Sequence, residues 1–319
     1  MPADTGASTT PLERIARKLA TDRVLLWILG GCLVLLAAAA AFPVPQTAVG
    51  LSLRVRDVRM RMASDYGRDV DVLLEKGASL TASRFDRINT FEPACQTPQE
   101  FTLKGELSIA KLKLLAGAEL AVGVSGAQGL DLTIVGPAAV QIVATGRVQQ
   151  NGRLCSKAGA MFDLDADKGR EARLVIDTAL GPTSDFRLKD LWVSELRFVH
   201  PAAGTVGLTG SDSSIRSGSL FVGESDKPIS LREGEVVTLD GVAGTVQTIA
   251  LDKDDLYVEF RGRVDGVALG PATDRRDLRP TILVWLSHSD WLTTSGTVLG
   301  AVLLILWRVR VWVRNEAAD

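Results

Sequence analysis

The clearest structural signal in the chain is the stretch LSLRVRDVRMRM, residues 51–62. Apolar and polar side chains alternate from Leu51 to Val55, which is the two-residue period of a half-buried β-strand. The alternation slips by one residue at Asp57 and then resumes as far as Met62. A slip of this kind is typical of a β-bulge, so the stretch predicts a bulged strand with one face in a hydrophobic core.

Short apolar segments separated by glycine extend this β pattern along the central part of the chain. They recur over residues 101–143 and again over residues 174–264. Short strands at this spacing are typical of an all-β sandwich, barrel or roll. Residues 107–115 are also compatible with a short helix, because periodicity does not separate the two over so short a run. If there are two β modules, the best boundary between them is the Gly-Pro-Thr-Ser segment at residues 181–184.

Two uncharged apolar runs lie near the ends of the chain, at residues 24–42 and 291–307. As a helix the first run would extend about 28 Å, close to the thickness of the hydrocarbon core of a bilayer. We therefore predict two transmembrane α-helices that flank an all-β extracytoplasmic domain. The predicted division is a tail at 1–23, a span at 24–42, the β domain at 43–279, an interfacial amphipathic helix at 280–290, a span at 291–307 and a basic tail at 308–319.

The first apolar run has two further interpretations. The small residues Ala39, Ala40 and Ala41 could serve as the cleavage site of a signal peptide, although the run is longer than the usual apolar region of one. Cys32 follows a sequence that resembles a bacterial lipoprotein box, but the residues after it are apolar. An uncleaved anchor remains the prediction.

Orientation follows from the charges that directly abut the apolar runs. Arg23 and Arg308 stand on the terminal sides, and long domains translocate largely regardless of their charge. No Asn-x-Ser/Thr glycosylation acceptor occurs, which agrees with a bacterial envelope protein. We expect a two-pass protein of the bacterial inner membrane, with both tails in the cytoplasm and the main domain in the periplasm.

The arginines of the bulged strand have two interpretations in this setting. Contact with phospholipid headgroups is one, because basic residues close to a membrane attract anionic lipid. A solvated strand face that binds nothing is the other. The four residues concerned are Arg54, Arg56, Arg59 and Arg61.

Cysteine and glycine positions suggest two further features. Cys95 and Cys155 are the two cysteines of the central domain, so they can form one disulfide in an oxidising compartment. Gly296 and Gly300 form a GxxxG motif inside the second apolar run, and such small residues allow close packing of two helices. We predict that this motif packs against the first span, a protein partner or a second copy of the chain.

Three alternating aspartates are the candidates for a metal site. Asp163, Asp165 and Asp167 alternate with apolar residues before Gly169, and alternating carboxylates followed by glycine are typical of calcium loops. The glycine comes one position late for the EF-hand pattern, and Leu174 stands where the bidentate glutamate should be. A strand edge with its acidic face in water is the simpler interpretation, so we predict no metal site. If the chain does bind a metal ion, these three aspartates are the candidate ligands.

No motif in the chain indicates catalysis. The two histidines, His200 and His288, lie far apart and belong to no nucleophile, metal or phosphate-binding signature. A net charge of −2 does not favour nucleic acid as a partner. We predict a non-catalytic protein without a cofactor, anchored in the bilayer as a scaffold, assembly or accessory subunit of an envelope complex. The alternative is a β-domain that binds a lipid, a glycan or an envelope polymer.

Overall fold

The computed structural model divides the chain into two compact units, residues 1–44 with 280–319 and residues 45–279. The structure describes residues 30–31, 34–35, 37–74, 78–90, 100–125, 129–150, 153–156, 158–167, 171–177, 186–199, 213–223, 227–252, 254–271, 274–282 and 284–285.

The larger unit is built of antiparallel β-strands, so the all-β prediction is confirmed for the central domain. Alternating apolar residues give most strands one buried face, and together these faces form a single hydrophobic core. The strands among the described residues are β1 Thr47–Val55, β2 Asp57–Met62, β3 Tyr66–Leu74, β4 Ser79–Ser83, β5 Arg87–Thr90, β6 Glu100–Leu114, β7 Glu119–Ser125, β8 Gly129–Val135, β9 Ala138–Gln150, β10 Arg153–Ser156, β11 Met161–Ala166, β12 Glu171–Asp177, β13 Arg187–Arg197, β14 Ile215–Val222, β15 Ile229–Leu231, β16 Val237–Asp240, β17 Ala243–Asp252, β18 Asp255–Val264, β19 Gly266–Leu269 and β20 Arg276–Asp277.

The stretch 51–62 alternates as predicted but forms parts of two consecutive strands, with Arg56 between them. β1 pairs with β14 and β18, whereas β2 pairs with β7 and β13. The one-residue slip is therefore the point at which the chain changes its neighbours. The buried side chains on the two sides of the slip are Leu51, Leu53, Val55, Val58, Met60 and Met62.

Strand pairing closes two circuits within one large, sandwich-like sheet. In the first, β1 pairs with β18, β18 with β17, β17 with β13, and β13 with β2, which continues from β1. In the second, β4 pairs with β6, β6 with β9, β9 with β11, and β11 with β5, which follows β4 after a short bend. Strands β7, β8 and β12 link β2 to β4, and β16, β19 and β20 form a separate small sheet.

The segment that was also compatible with a helix is a strand: residues 107–114 form the second half of β6, which ends at Leu114. One edge of β6 pairs with β3 and β4, and the other edge pairs with β9. These partners come from distant parts of the chain, which is why local periodicity left both interpretations open. The possible module boundary at 181–184 lies outside the described residues.

In the smaller unit, the segment after the first apolar run pairs with the segment before the second. Pro43 and Thr281 form an antiparallel bridge. The Val44 amide donates to the Pro280 carbonyl at 3.0 Å, and the Ile282 amide donates to the Phe42 carbonyl at 2.9 Å. These bonds hold the two ends side by side.

Short helical segments flank this bridge. Residues 37–41 are helical, and a second helix begins after Thr281, whose hydroxyl accepts a hydrogen bond from the Val284 amide at 3.4 Å. A hydroxyl in this position caps a helix N-terminus. Within the described part of the chain, no helix combines the length and apolar character needed to cross a membrane. The run at 291–307, both tails and much of the run at 24–42 lie outside the described residues.

Candidate functional site: a charged groove on the sheet

Five neighbouring strands, β13, β2, β7, β8 and β12, present a polar outer face to solvent. Each strand alternates, so Met60 and Leu120 point into the core while Arg59, Arg61 and Glu119 point outward. An open groove of about 330 Å³ runs over the outer face of these strands. We call it the charged groove; it is lined by Arg59, Met60, Arg61, Glu119, Leu120, Ala121, Thr133, Val135, Glu171, Glu195 and Arg197.

Register arranges the outward side chains at the groove in two parallel rows across the strands, and a further row beyond them holds Asp57 and Asp131. The first, called the basic row, contains no acidic residue. It consists of Arg197, Arg59, Ala121, Thr133 and Arg173 in order across the five strands.

The second row, called the acidic row, lies two positions along each strand. It consists of Glu195, Arg61, Glu119, Val135 and Glu171. Two positions along a strand correspond to about 6.6 Å, so the two rows are close enough for long side chains to meet.

Ion pairs join the rows at one end of the groove. Arg61 lies between two carboxylates: its Nε donates to Glu119 Oε1 at 3.1 Å, and its Nη1 lies 3.6 Å from Glu195 Oε2. Arg197 forms an ion pair with Glu195 as well. The hydrogen bond from Arg61 to Glu119 raises the pKa of the Arg61 guanidinium above its ordinary value. These side chains are largely exposed, so each pair contributes at most about 1 kcal/mol to stability.

Arg59 differs from its neighbours in the groove. Its side chain is exposed, and its guanidinium makes no ion pair or hydrogen bond with any described residue. At the far end of the basic row, Arg173 is engaged by Asp131, whose Oδ1 and Oδ2 lie 2.9 and 3.0 Å from its Nε. The groove therefore holds one arginine without a carboxylate partner among the described residues.

All four arginines of the stretch 51–62 lie on the solvent side, as predicted. Arg54 pairs with Asp252 at 2.8 Å, and Arg61 pairs within the groove. Arg56, like Arg59, has no ion pair with a described residue. Whether these side chains meet phospholipid remains a prediction.

The three candidate aspartates lie on or just after β11. Asp163 accepts a hydrogen bond from Gln141 Nε2 at 2.9 Å, and the Asp167 amide donates to Asp86 Oδ2 at 2.7 Å. Asp163 and Asp165 alternate with buried residues on β11, as the strand interpretation predicted, but β11 pairs with β5 on one side and β9 on the other, so it is not an edge strand. The described residues contain no cluster of three or more His, Cys, Asp or Glu side chains suited to a metal ion.

Several predicted site residues fall outside the described part of the chain. They are Cys95, Gly296 and Gly300, together with both histidines. Cys155 is placed by its backbone on β10, where the pairing with β9 shifts register between Leu154 and Ser156. The disulfide and the helix-packing motif therefore stay predictions.

We expect Cys95 and Cys155 to be joined in protein isolated from its native compartment. In the chain-entropy model, a bridge that closes a loop of about 60 residues would stabilise the fold by roughly 4 kcal/mol. Mass analysis of a digest under non-reducing conditions should recover the two cysteine peptides as one cross-linked species. Recovery of both as free thiols would contradict the prediction.

Comparison of the chain with protein families, with curated proteins and with solved structures found no match. The geometry of the described residues is therefore the basis for assigning a function. The bulged strand pointed to Arg59 and Arg61, but nothing in the sequence linked them to Glu119, Glu195 or Thr133. Only strand register brings those residues together.

Proposed function

We propose that this chain is a non-catalytic scaffold, assembly or accessory subunit of an envelope complex, held in the bacterial inner membrane by two spans. Its β unit would lie in the periplasm and its two tails in the cytoplasm. The observation that carries the proposal is the antiparallel pairing of Pro43 with Thr281. This pairing supports a hairpin in which the runs at 24–42 and 291–307 enter one bilayer side by side.

Exposed apolar side chains in the smaller unit support the membrane anchor. Val34 is 67 % exposed and Leu35 is 71 % exposed, and Phe42, Val284 and Trp285 are exposed as well. Apolar surface of this kind is costly in water and stable against lipid chains. Trp285 stands where an interfacial aromatic residue would meet the headgroup layer.

Exposed apolar side chains on the larger unit support the assembly role. Trp192 is 57 % exposed on the outer face of β13. Exposed aromatic residues often anchor protein interfaces, because they bury much area at small entropic cost. A protein partner that covers Trp192 is therefore the expected basis of assembly, with Gly296 and Gly300 as a second contact inside the membrane.

The proposal is tested by purifying the tagged full-length chain from membranes in mild detergent after chemical cross-linking. Mass spectrometry should then identify a reproducible partner or a defined self-assembly. Trp192→Ala should reduce recovery of that partner at least several-fold. Leu154→Ala, which truncates a comparably exposed apolar residue on β10, serves as the control. An uncomplexed monomer in every preparation would contradict the scaffold role.

The alternative, a β-domain that binds a lipid, a glycan or an envelope polymer, is favoured by one observation. The charged groove contains Arg59, which has no described carboxylate partner. A groove of this volume falls at the lower end of the range for small-ligand sites.

A further inference from the structure

We propose that Arg59 and Arg197 form a binding site for a phosphate group within the charged groove. This proposal deepens the alternative function, in which the β-domain binds a ligand, by assigning that ligand to one chemical class, the phosphate esters. It does not depend on the scaffold role, which rests on the smaller unit and on Trp192.

The two arginines lie directly opposite each other in the sheet. Arg59 on β2 and Arg197 on β13 are direct partners in the antiparallel register. Directly opposed residues have Cβ atoms about 4.5–5.5 Å apart, and like charges in this arrangement destabilise a sheet. An anion bound between the guanidinium groups would attract both of them and offset this repulsion.

The two arginines also supply hydrogen-bond donors for an anion. A guanidinium offers five N–H donors and no acceptor. Those of Arg59 meet no acceptor among the described residues, and the carboxylate that serves Arg197, Glu195, is shared with Arg61. Arg61, in contrast, is already engaged by both Glu119 and Glu195. The N–H donors of the groove that remain available to a ligand are therefore mainly those of Arg59 and Arg197.

Open space for a ligand lies beside Arg59. Its neighbour on the other side is Ala121, and the next residue in the basic row is Thr133. Because the alanine side chain is short, the groove stays open between Arg59 and Thr133. Thr133 adds a hydroxyl donor to the wall of this space.

Phosphate is the anion that suits this donor set. Its several acceptor oxygens can take paired N–H bonds from arginine, and a phosphomonoester carries enough charge for two guanidinium groups. The acidic row would repel an anion on one side of the basic row, and Asp57 and Asp131 would repel it on the other side. A bound phosphate would therefore be confined to the basic row, between Arg197, Arg59 and Thr133.

The test uses the full chain purified in a neutral detergent at low ionic strength. Glycerol phosphate, a soluble phosphomonoester, is titrated by isothermal calorimetry, with acetate at the same concentrations as the carboxylate comparison. In a second arm, the micelles contain phosphatidic acid or phosphatidylcholine, and the fluorescence of the protein is recorded. The variants are Arg59→Gln and Arg59→Lys, with Arg187→Gln as the matched control, since Arg187 is an exposed arginine elsewhere on β13.

Arg59→Gln should weaken binding of the phosphate by about 10- to 100-fold, the loss that corresponds to charge-assisted hydrogen bonds. Arg59→Lys should give a smaller loss, because lysine keeps the charge without the paired geometry. Arg187→Gln should bind like the parent chain. Binding of glycerol phosphate supports a site for soluble phosphate esters, and binding of phosphatidic acid alone supports a lipid headgroup as the source.

Three results would overturn the proposal: no binding in either arm, equal binding of acetate, or an equal loss in Arg59→Gln and Arg187→Gln. Thermal unfolding of each variant identifies any loss of fold, and Arg197→Gln provides a second test of the same site. Failure here would leave the co-purification result for Trp192 unaffected, so the two proposals can be judged separately.

Discussion

Replacing Phe260 with alanine should lower the free energy of unfolding by about 3–5 kcal/mol. Phe260 lies on β18 and is completely buried. A loss of this size is a large part of the 5–15 kcal/mol by which folded domains are usually stable. Denaturant unfolding of the purified chain, followed by intrinsic fluorescence, measures the effect.

The reason for the large effect is the pair of glycines beneath the ring. Gly244 on β17 and Gly262 on β18 are partners in the sheet. A Cβ built on Gly244 would come within 2.8 Å of Phe260 Cε2, and one built on Gly262 within 2.7 Å of Cζ. The phenyl ring thus occupies the space that two side chains would otherwise fill. After truncation to alanine no neighbouring side chain fills this space, and a cavity remains.

Phe221→Ala provides the matched control for Phe260→Ala. Phe221 lies on β14 and is 39 % exposed, with its ring beside Gly50. The same chemical change should therefore cost less, about 1–2 kcal/mol, because the ring is only partly buried and its removal leaves no enclosed cavity. Similar losses for both variants would show that Phe260 does not fill the space above the glycines.

Gly105→Ala is expected to destabilise the protein by about 2–5 kcal/mol, from backbone strain together with overpacking. Gly105 has φ of 142°, and a Cβ at this position would lie 2.1 Å from the Arg147 carbonyl oxygen. That oxygen directly precedes Val148 of β9, which pairs with Gly105 on one edge and with Ser156 of β10 on the other. The carbonyl cannot move aside without disturbing this pairing, so the clash is not relieved by a change of rotamer. Thermal and denaturant unfolding give the size of the loss.

Gly117→Ala separates the two contributions to the effect at Gly105. Gly117 also has a positive φ, 83°, but a Cβ there would meet no atom within 4 Å. Its substitution should therefore show the cost of backbone strain alone, about 1–2 kcal/mol. If the two alanine variants were equally stable, the close approach of β6 to Arg147 would not be the cause.

The sequence by itself determined which residues of a strand face the core. Alternation alone identified Leu51 and Leu53 as buried, and it placed Arg59 and Arg61 on the opposite face. This succeeded because the side-chain period of a strand is a local property of the backbone.

Only the tertiary structure decided which strands are neighbours and in which register. Residues 51–62 contain a one-residue slip, but the sequence does not show that β1 and β2 pair with different strands on its two sides. Register likewise places Arg59 opposite Arg197 and beside Ala121. Pairing joins segments far apart in the chain, and its register depends on the packing of the whole core. The alternation of a single strand therefore cannot specify the charged groove.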